Sequence, residues 1–164
     1  MFNPLLILIV AIVAYVLYQN KVTGDDATLE MVARIKRDYF QDASDASREF
    51  SGIGYRRILA IIAVESGGAP EAIGSIGERG LMQITRDALT DFNAYYVQRA
   101  TWDELLEERV NIFVGTGYLK ILLNNLGNLD KATRAYNVGA SNVVRNENSG
   151  LDYLQKVLYY ESLI

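Results

Sequence analysis

The sequence contains no cysteine and no histidine, and these two absences exclude several kinds of chemistry. Without cysteine there is neither a disulfide framework nor a thiolate nucleophile. Without histidine, a metal site, or a serine nucleophile that an imidazole activates, would need unusual ligands or bases. The sequence therefore predicts no metal and no cofactor, and a chemistry that rests on carboxylates, hydroxyls and amides.

The chain also lacks an excess of positive charge. Its formal net charge is −4, and the basic residues are scattered along the sequence rather than gathered into a stripe. A nucleic-acid partner is therefore not expected, because such proteins carry a basic patch. Half of the 164 residues are apolar, which is enough for one domain with a single core and an N-terminal appendage.

Residues 2–18 form the appendage, an almost unbroken apolar run without a charged side chain. At ~1.5 Å per residue such a helix approaches the ~30 Å hydrocarbon core of a bilayer. The sequence therefore predicts a transmembrane anchor at residues 1–20, a linker at residues 21–27 and a domain at residues 28–164. A cleaved signal peptide is the alternative, but it would need an early basic region and a better cleavage site than Ile12-Val13-Ala14.

Helical patterns dominate the rest of the chain, and no alternating run suggests a substantial sheet. Thr101 and Glu104 form a capping box. The predicted helices run from about Asp26 to residue 39, over residues 42–50, up to residue 66, from the capping box to Gly127 with interruptions at Gly115 and Gly117, from Asp130 to about residue 136, and from Ser149 onward. The sequence therefore predicts an all-α domain.

Glu65 is the strongest candidate for a catalytic residue. Residues 58–64 are all apolar, and Ile58, Ile61 and Ile62 share a helix face with Glu65. Burial against such a face disfavours the charged carboxylate, so the pKa of Glu65 is expected to rise. A carboxylic acid that stays neutral near pH 7 can protonate a leaving oxygen, as in enzymes that cleave glycosidic bonds.

Four motifs follow Glu65-Ser66 at a characteristic spacing. They are the segment from Gly77 to Ile84, the segment from Asn111 to Gly115 that leads to Tyr118-Leu119, the segment from Ala135 to Gly139, and the segment from Tyr153 to Val157. In this order they resemble the soluble lytic transglycosylase (SLT) domain family, which has a lysozyme-like fold and cleaves peptidoglycan. The resemblance covers roughly residues 29–164, the whole of the chain beyond the predicted anchor and linker.

The resemblance implies an activity and a set of site residues. Glu65 would protonate the glycosidic oxygen between N-acetylmuramic acid and N-acetylglucosamine, and would then act as a base on the muramyl C6 hydroxyl, which closes a 1,6-anhydro ring. Tyr136 would be the second catalytic residue and would orient Glu65. Substrate contacts are expected from Ser66, Ser75, Met82, Gln83, Asn137 and Tyr153. Asn111, Gly115 and Tyr118 are expected to form the fold.

Some positions depart from the family pattern. Gly68 stands where an aromatic residue is common, and Gly74 where a serine often contacts the N-acetyl group, so that Ser75 would have to supply this contact. Glu78 could be a second carboxylate, which would make the protein a hydrolytic muramidase. A solvated loop tip at Glu78-Arg79 is the simpler interpretation. An inert, membrane-anchored wall-binding protein is a third alternative.

The anchor raises a question of orientation. Lys21, Lys36 and Arg37 follow the apolar run, and the positive-inside rule then favours a cytoplasmic C-terminus. A domain that cleaves peptidoglycan must face the opposite side, the periplasmic face of the inner membrane. A location in the membrane of a bacteriophage virion would remove the conflict, because that membrane meets the cell wall only during entry.

Overall fold

A computed structural model of the protein describes residues 25–164. These residues form seven α-helices and one 3₁₀ helix, joined by turns and loops, with only isolated bridges that pair Arg79 with Ile73 and with Ile84. The helices are α1 (Asp26–Glu49), α2 (Tyr55–Ser66), α3 (Arg86–Tyr95), the 3₁₀ helix (Asp103–Leu106), α4 (Glu108–Leu126), α5 (Leu129–Val138), α6 (Ala140–Arg145) and α7 (Leu151–Leu163). The predicted all-α class is confirmed for this part of the chain.

The predicted anchor, residues 1–20, lies outside the described residues, and so does most of the predicted linker. Among residues 25–164, no helix combines the length and the apolar character that a membrane span requires. Helix α1 begins within the predicted linker, at Asp26, because the Asp25 carboxylate accepts a hydrogen bond from the backbone N–H of Thr28 and caps the helix.

Three predicted helix interruptions, one in α1 and two in α4, are wrong. Helix α1 continues through residues 40–42, because no glycine or proline stands there and its buried positions, such as Tyr39 and Ala43, continue the same stripe. Helix α4 is continuous through Gly115 and Gly117. Both glycines allow close packing: a Cβ atom at Gly115 would lie 2.6 Å from Met82 Sδ, and one at Gly117 would meet the ring of Phe92.

The predicted helix ends agree more closely with the structure. The capping box is confirmed, since Thr101 N–H donates to Glu104 Oε2 at 2.6 Å and Glu104 N–H donates to Thr101 Oγ1 at 3.4 Å. It opens the short 3₁₀ helix, and α4 ends at Gly127, which is in the left-handed conformation. Helices α5 and α7 start within two residues of the predicted positions, and the N-cap of α5 is Asn128 rather than Asp130.

Helix α2 is the central element of the fold. It packs between α1 and α7, and residues 57–63 are all buried. Arg57 is only 6% exposed and fixes the start of α2. Its guanidinium donates to Glu161 on α7 at 2.8 Å, and to Asp130 and Thr133 on α5 at 3.1 and 2.7 Å. Helices α1, α5 and α7 therefore hold α2 in place. They determine where Glu65, in the last turn of α2, projects.

Candidate active site

Glu65 lies in the last turn of α2, where the buried face of the helix reaches a surface cleft. Ile58, Ile61 and Ile62 are fully buried, as the sequence predicts. Burial raises the pKa of Glu65 from its ordinary value of 4.5 to about 7, a hydrogen bond from Tyr153 opposes the rise, and the negative charge of Glu78 adds to it. A large share of Glu65 is therefore a neutral carboxylic acid near pH 7, as a general acid requires.

Tyr153, and not Tyr136, makes the hydrogen bond to Glu65. The Tyr153 hydroxyl donates to Glu65 Oε1 at 2.6 Å, and its side chain is 7% exposed at the buried face of α7. The Tyr136 hydroxyl donates instead to the backbone carbonyl of Met82 at 2.9 Å. The sequence resemblance assigned the orienting contact to Tyr136, and this assignment disagrees with the geometry, because α7 packs directly against α2.

The turn that follows Glu65 is fixed from α1. Gly67 ends α2 in the left-handed conformation. Arg34 donates to the carbonyls of Gly67 and Gly68, at 2.6 and 3.1 Å, and the Tyr39 hydroxyl donates to the carbonyl of Gly68 at 3.2 Å. The sequence gives no local signal for these contacts of Arg34 and Tyr39, since they join residues about thirty positions apart.

Gly68 must be a glycine in this fold. Its φ of +79° is one that side chains rarely adopt, and a Cβ atom there would lie 2.6 Å from Ile35 Cγ1. This packing explains the departure from the aromatic residue that the family pattern favours. Ser66 has a related structural role, since its hydroxyl donates to the carbonyl of Leu81 at 2.8 Å and accepts from Gly68 N–H at 3.1 Å.

The motif from Gly80 to Ile84 is a tight loop held by Asn111. The fully buried Asn111 side chain donates to the carbonyls of Arg79 and Leu105, at 2.8 and 2.7 Å, and accepts from Met82 N–H at 2.7 Å. It is therefore a residue of the fold, in agreement with the prediction. A Cβ atom at Gly80 would lie 2.8 Å from Asn111 Cγ, so only glycine permits this approach.

Met82 does not reach the cleft. The sequence resemblance placed its thioether against a sugar face, but its side chain is fully buried and packs on Gly115 of α4. This contact with a sugar is therefore excluded by the geometry. The backbone carbonyl of Met82 instead accepts a hydrogen bond from the Tyr136 hydroxyl.

The cleft beside Glu65 combines several polar side chains. Its other lining residues are Glu78, Gln83, Thr85, Tyr136 and Asn137. Gln83 has a φ of +48° and donates its amide to the carbonyls of Gly80 and Ala72, at 2.8 and 3.2 Å. Strained backbone of this kind is frequent at functional sites. Asn137 is exposed at the rim of the cleft, where its amide is available to a ligand.

Thr85 is a lining residue that sequence reasoning missed. It follows the Gly80 motif directly and is the N-cap of α3, where its hydroxyl accepts from Ala88 N–H at 3.1 Å. A threonine before the apolar positions Ala88, Leu89 and Phe92 was the signal that could have revealed it. Ser75, by contrast, lies exposed on the loop and is not among the residues that line the cleft.

Glu78 reaches the cleft from the same loop. Its Oε2 accepts a hydrogen bond from Ile76 N–H at 3.1 Å, which ties one oxygen to the loop backbone. A Cβ atom at Gly74 would collide with this carboxylate and would lie 2.6 Å from Gln83 Oε1. Glu78 and Gln83 therefore occupy the space that a serine at position 74 would need, which accounts for the second departure from the family pattern.

Comparison with known proteins identifies the family. The family model of the Transglycosylase SLT domain matches residues 42–157, well over half of the chain. The chain belongs to this family. The SLT domain of this protein is similar to the endo-type membrane-bound lytic murein transglycosylase A of Citrobacter koseri, with 39% identity over 85 residues. It is also similar to the membrane-bound lytic murein transglycosylase C of Serratia proteamaculans, with 33% identity over 120 residues.

These matches cover parts of larger proteins. They take in 48% and 65% of this chain but only 40% and 33% of the two relatives. The structure of an inactive mutant of the lytic transglycosylase Slt from Pseudomonas aeruginosa superposes with a TM-score of 0.70 and 22% identity, over 78% of this chain and 24% of that protein. The SLT domain therefore has the lysozyme-like fold of this family and spans well under two thirds of the relatives' length.

Proposed function

We propose that this SLT domain is a peptidoglycan lytic transglycosylase. It would cleave the bond between N-acetylmuramic acid and N-acetylglucosamine and leave a 1,6-anhydromuramic acid end. The observation that carries the proposal is Glu65, a carboxylic acid with a pKa of about 7 that opens into a polar cleft. The two relatives, both lytic murein transglycosylases by name, support the same reaction.

The reaction needs one carboxyl group in two roles. Neutral Glu65 donates its proton to the glycosidic oxygen while the acetamido oxygen of the muramyl residue stabilises the positive charge at C1. The Glu65 carboxylate then accepts the proton of the C6 hydroxyl as that oxygen attacks C1. The proton of Glu65 is thereby restored, no water is consumed, and the ring closes. Tyr153 holds the carboxyl group in position through its hydrogen bond.

Tyr153→Phe tests this positioning role. We expect kcat to fall by about 10- to 100-fold, because the carboxyl group loses the contact that orients it. The hydrogen bond from Tyr153 lowers the pKa of Glu65, so its removal raises that pKa further. Wild-type cleavage should fall as the pH rises through about 7, because Glu65 then loses its proton. In Tyr153→Phe the same fall in the cleavage rate should occur at a higher pH. Pre-steady-state rates across pH 5–9 provide the measurement.

Tyr160→Phe is the control for this variant, since Tyr160 lies on the same helix and packs on Tyr159 instead. Its pH profile should match that of the wild type. If the cleavage rate of Tyr153→Phe falls at the same pH as that of the wild type, the Tyr153 hydroxyl does not act on Glu65.

A hydrolytic muramidase is the second candidate function, and Glu78 is the observation that favours it. Glu78 lines the same cleft as Glu65, and its charge contributes to the raised pKa of Glu65. In a hydrolase this carboxylate would activate water. One oxygen of Glu78 is already bonded to Ile76 N–H, so we favour a loop-stabilising role and the transglycosylase reaction.

The products distinguish the two reactions. We expect wild-type digests of peptidoglycan to end in 1,6-anhydromuramic acid, which is lighter by one water than a reducing end. We expect Glu78→Gln to keep cleavage within about 10-fold, because Gln can still accept the Ile76 N–H. Chromatography with mass detection measures both the kind of product end and the amount of product that each variant releases. Reducing ends as the main product, with a loss of several orders of magnitude in Glu78→Gln, would establish the hydrolase instead.

The proposal includes a membrane location. The apolar run at residues 2–18 would anchor the chain in a single pass, with the SLT domain on the side that faces peptidoglycan. The two relatives are membrane-bound by name, which supports an anchor. The inner membrane of a bacterium and the membrane of a bacteriophage virion remain the two candidate sites. Full-length chain should sediment with membranes and resist high salt, and release by salt would contradict an integral anchor.

A further inference from the structure

Glu78 is a carboxylate of the cleft to which the proposed reaction gives no chemical step. It lines the wall beside Glu65 and Gln83. Its Oε2 accepts a hydrogen bond from Ile76 N–H at 3.1 Å, and its Oε1 accepts none from residues 25–164. Glu78 also makes no ion pair within these residues. A carboxylate at the wall of a substrate cleft is therefore left without a cation.

The basic side chains near Glu78 have other partners. Arg86 lines a neighbouring depression together with Glu78, but its guanidinium stacks on Trp102, with Cζ 4.2 Å from the ring centroid. Arg79, the next residue in the chain, donates to Asp103 at 2.8 Å. In the described part of the chain, no lysine or arginine lines the cleft itself. The negative charge of Glu78 is therefore available to a cationic ligand.

The amide of Gln83 turns a second acceptor toward Glu78. Its nitrogen donates to the carbonyls of Gly80 and Ala72, at 2.8 and 3.2 Å, and these two bonds fix the orientation of the amide. Gln83 Oε1 and Glu78 Oε2 both lie within 2.6 Å of the point where a Cβ atom of Gly74 would stand. The two oxygens are thus close neighbours, and they repel each other unless a donor lies between them.

Such a pair of oxygens matches an ammonium group better than an acetamido group. An ammonium carries three N–H donors and a positive charge, so it can donate to both oxygens at once. An acetamido group has a single N–H donor, and both oxygens would repel its carbonyl oxygen. An amino sugar without its acetyl group presents such an ammonium directly on the sugar ring.

We propose that Glu78 and Gln83 Oε1 bind the free ammonium of an N-deacetylated glucosamine residue in the glycan strand. We call these two groups the ammonium site. The SLT domain then prefers strands that carry such residues over fully acetylated ones. This inference rests on the proposed function, which supplies the glycan. The free amine belongs to the glucosamine residue, because the proposed reaction uses the acetamido oxygen of the muramyl residue.

Binding measurements on the full-length Glu65→Gln chain test the ammonium site without any cleavage. The two probes are tetrasaccharides of alternating glucosamine and N-acetylmuramic acid, one with free glucosamine amines and one with these amines acetylated. By isothermal titration calorimetry at pH 6, where the amines are protonated, we expect the free-amine probe to bind about 10-fold more tightly. Adding Glu78→Gln should bring the ratio of the two affinities close to one, because the amide carries no charge.

Three comparisons serve as controls for this variant. Glu78→Gln should bind the acetylated probe at least as tightly as the parent does, since the repulsion is relieved, and this binding also shows that the variant is folded. Glu78→Asp keeps the charge on a shorter side chain, so it should recover only part of the ratio. Glu71→Gln removes the same charge from an exposed position of the loop that follows α2, and its ratio should equal that of the parent.

The outcomes separate the ammonium site from the reaction. A preference that is equally large in the parent and in Glu78→Gln overturns the site, because the smaller size of the free amine then explains it. A ratio of one in the parent, or a failure of both probes to bind, overturns the site as well. Each result leaves the reaction standing if the wild-type chain forms anhydro ends. If the wild type cleaves nothing but the free amine still strengthens binding through Glu78, the proposed function fails and the site is retained.

Discussion

Glu65→Gln is expected to abolish peptidoglycan cleavage, with a loss of at least about 10²- to 10⁴-fold. The amide retains the shape of the side chain and can still accept the hydrogen bond from Tyr153, but it cannot donate the proton that the leaving oxygen needs. The release of soluble fragments by purified, folded chain measures the loss. Glu71→Gln, an exposed change on the loop that follows α2, should retain full activity.

The same variant should be more stable than the wild type at alkaline pH. The pKa of Glu65 is about 7 in the folded chain against 4.5 ordinarily, so the folded state binds more protons between these values and loses stability as the pH rises through them. Above pH 7 the buried charge costs roughly 3 kcal/mol. The Tm of Glu65→Gln should therefore exceed that of the wild type by several degrees at pH 8, and the difference should shrink toward pH 4.

These two measurements on Glu65→Gln check each other. A variant that is inactive and stabilised at pH 8 fits a buried general acid. Substantial residual cleavage by the folded variant would remove Glu65 from the catalytic role. If the inactive variant differs from the wild type in Tm by the same amount at pH 4 and at pH 8, Glu65 has an ordinary pKa.

Asn111→Ala is expected to give the largest loss of stability, about 3–5 kcal/mol. The change leaves the carbonyls of Arg79 and Leu105 and the N–H of Met82 without their buried partner. Each such group costs about 1–3 kcal/mol when it is left unsatisfied. Urea unfolding, followed by circular dichroism, measures the change in the free energy of unfolding. The loop of the Gly80 motif should also become more mobile, so kcat should fall along with stability.

Two related variants sharpen this prediction. Asn111→Asp can still accept from Met82 N–H but loses both donors and buries a charge, so it should be at least as unstable as the alanine variant. Asn125→Ala, on the exposed face of the same helix, should stay within about 0.5 kcal/mol of the wild type. If Asn111→Ala lowers the free energy of unfolding no more than Asn125→Ala does, the hydrogen bonds of Asn111 do not stabilise the loop as described.

The sequence alone determined the features that depend on neighbours along the chain. The apolar turns before Glu65 predicted its burial, and that burial is what raises its pKa. The Thr101 and Glu104 capping box, and the helix ends at Gly67 and Gly127, were readable because caps and breaks act over three or four residues. The ordered motifs also indicated the SLT family, which the family comparison confirmed.

The tertiary structure decided which side chains meet across long distances. Tyr153 and Glu65 are 88 positions apart, and the packing of α7 on α2, rather than any motif, makes Tyr153 the donor to Glu65. Met82 is buried because Gly115 of α4 leaves room for it, which no local pattern shows. The periodicity of residues along a helix predicts which face each residue occupies. Which element packs against that face depends on how the helices pack, and therefore on the whole chain.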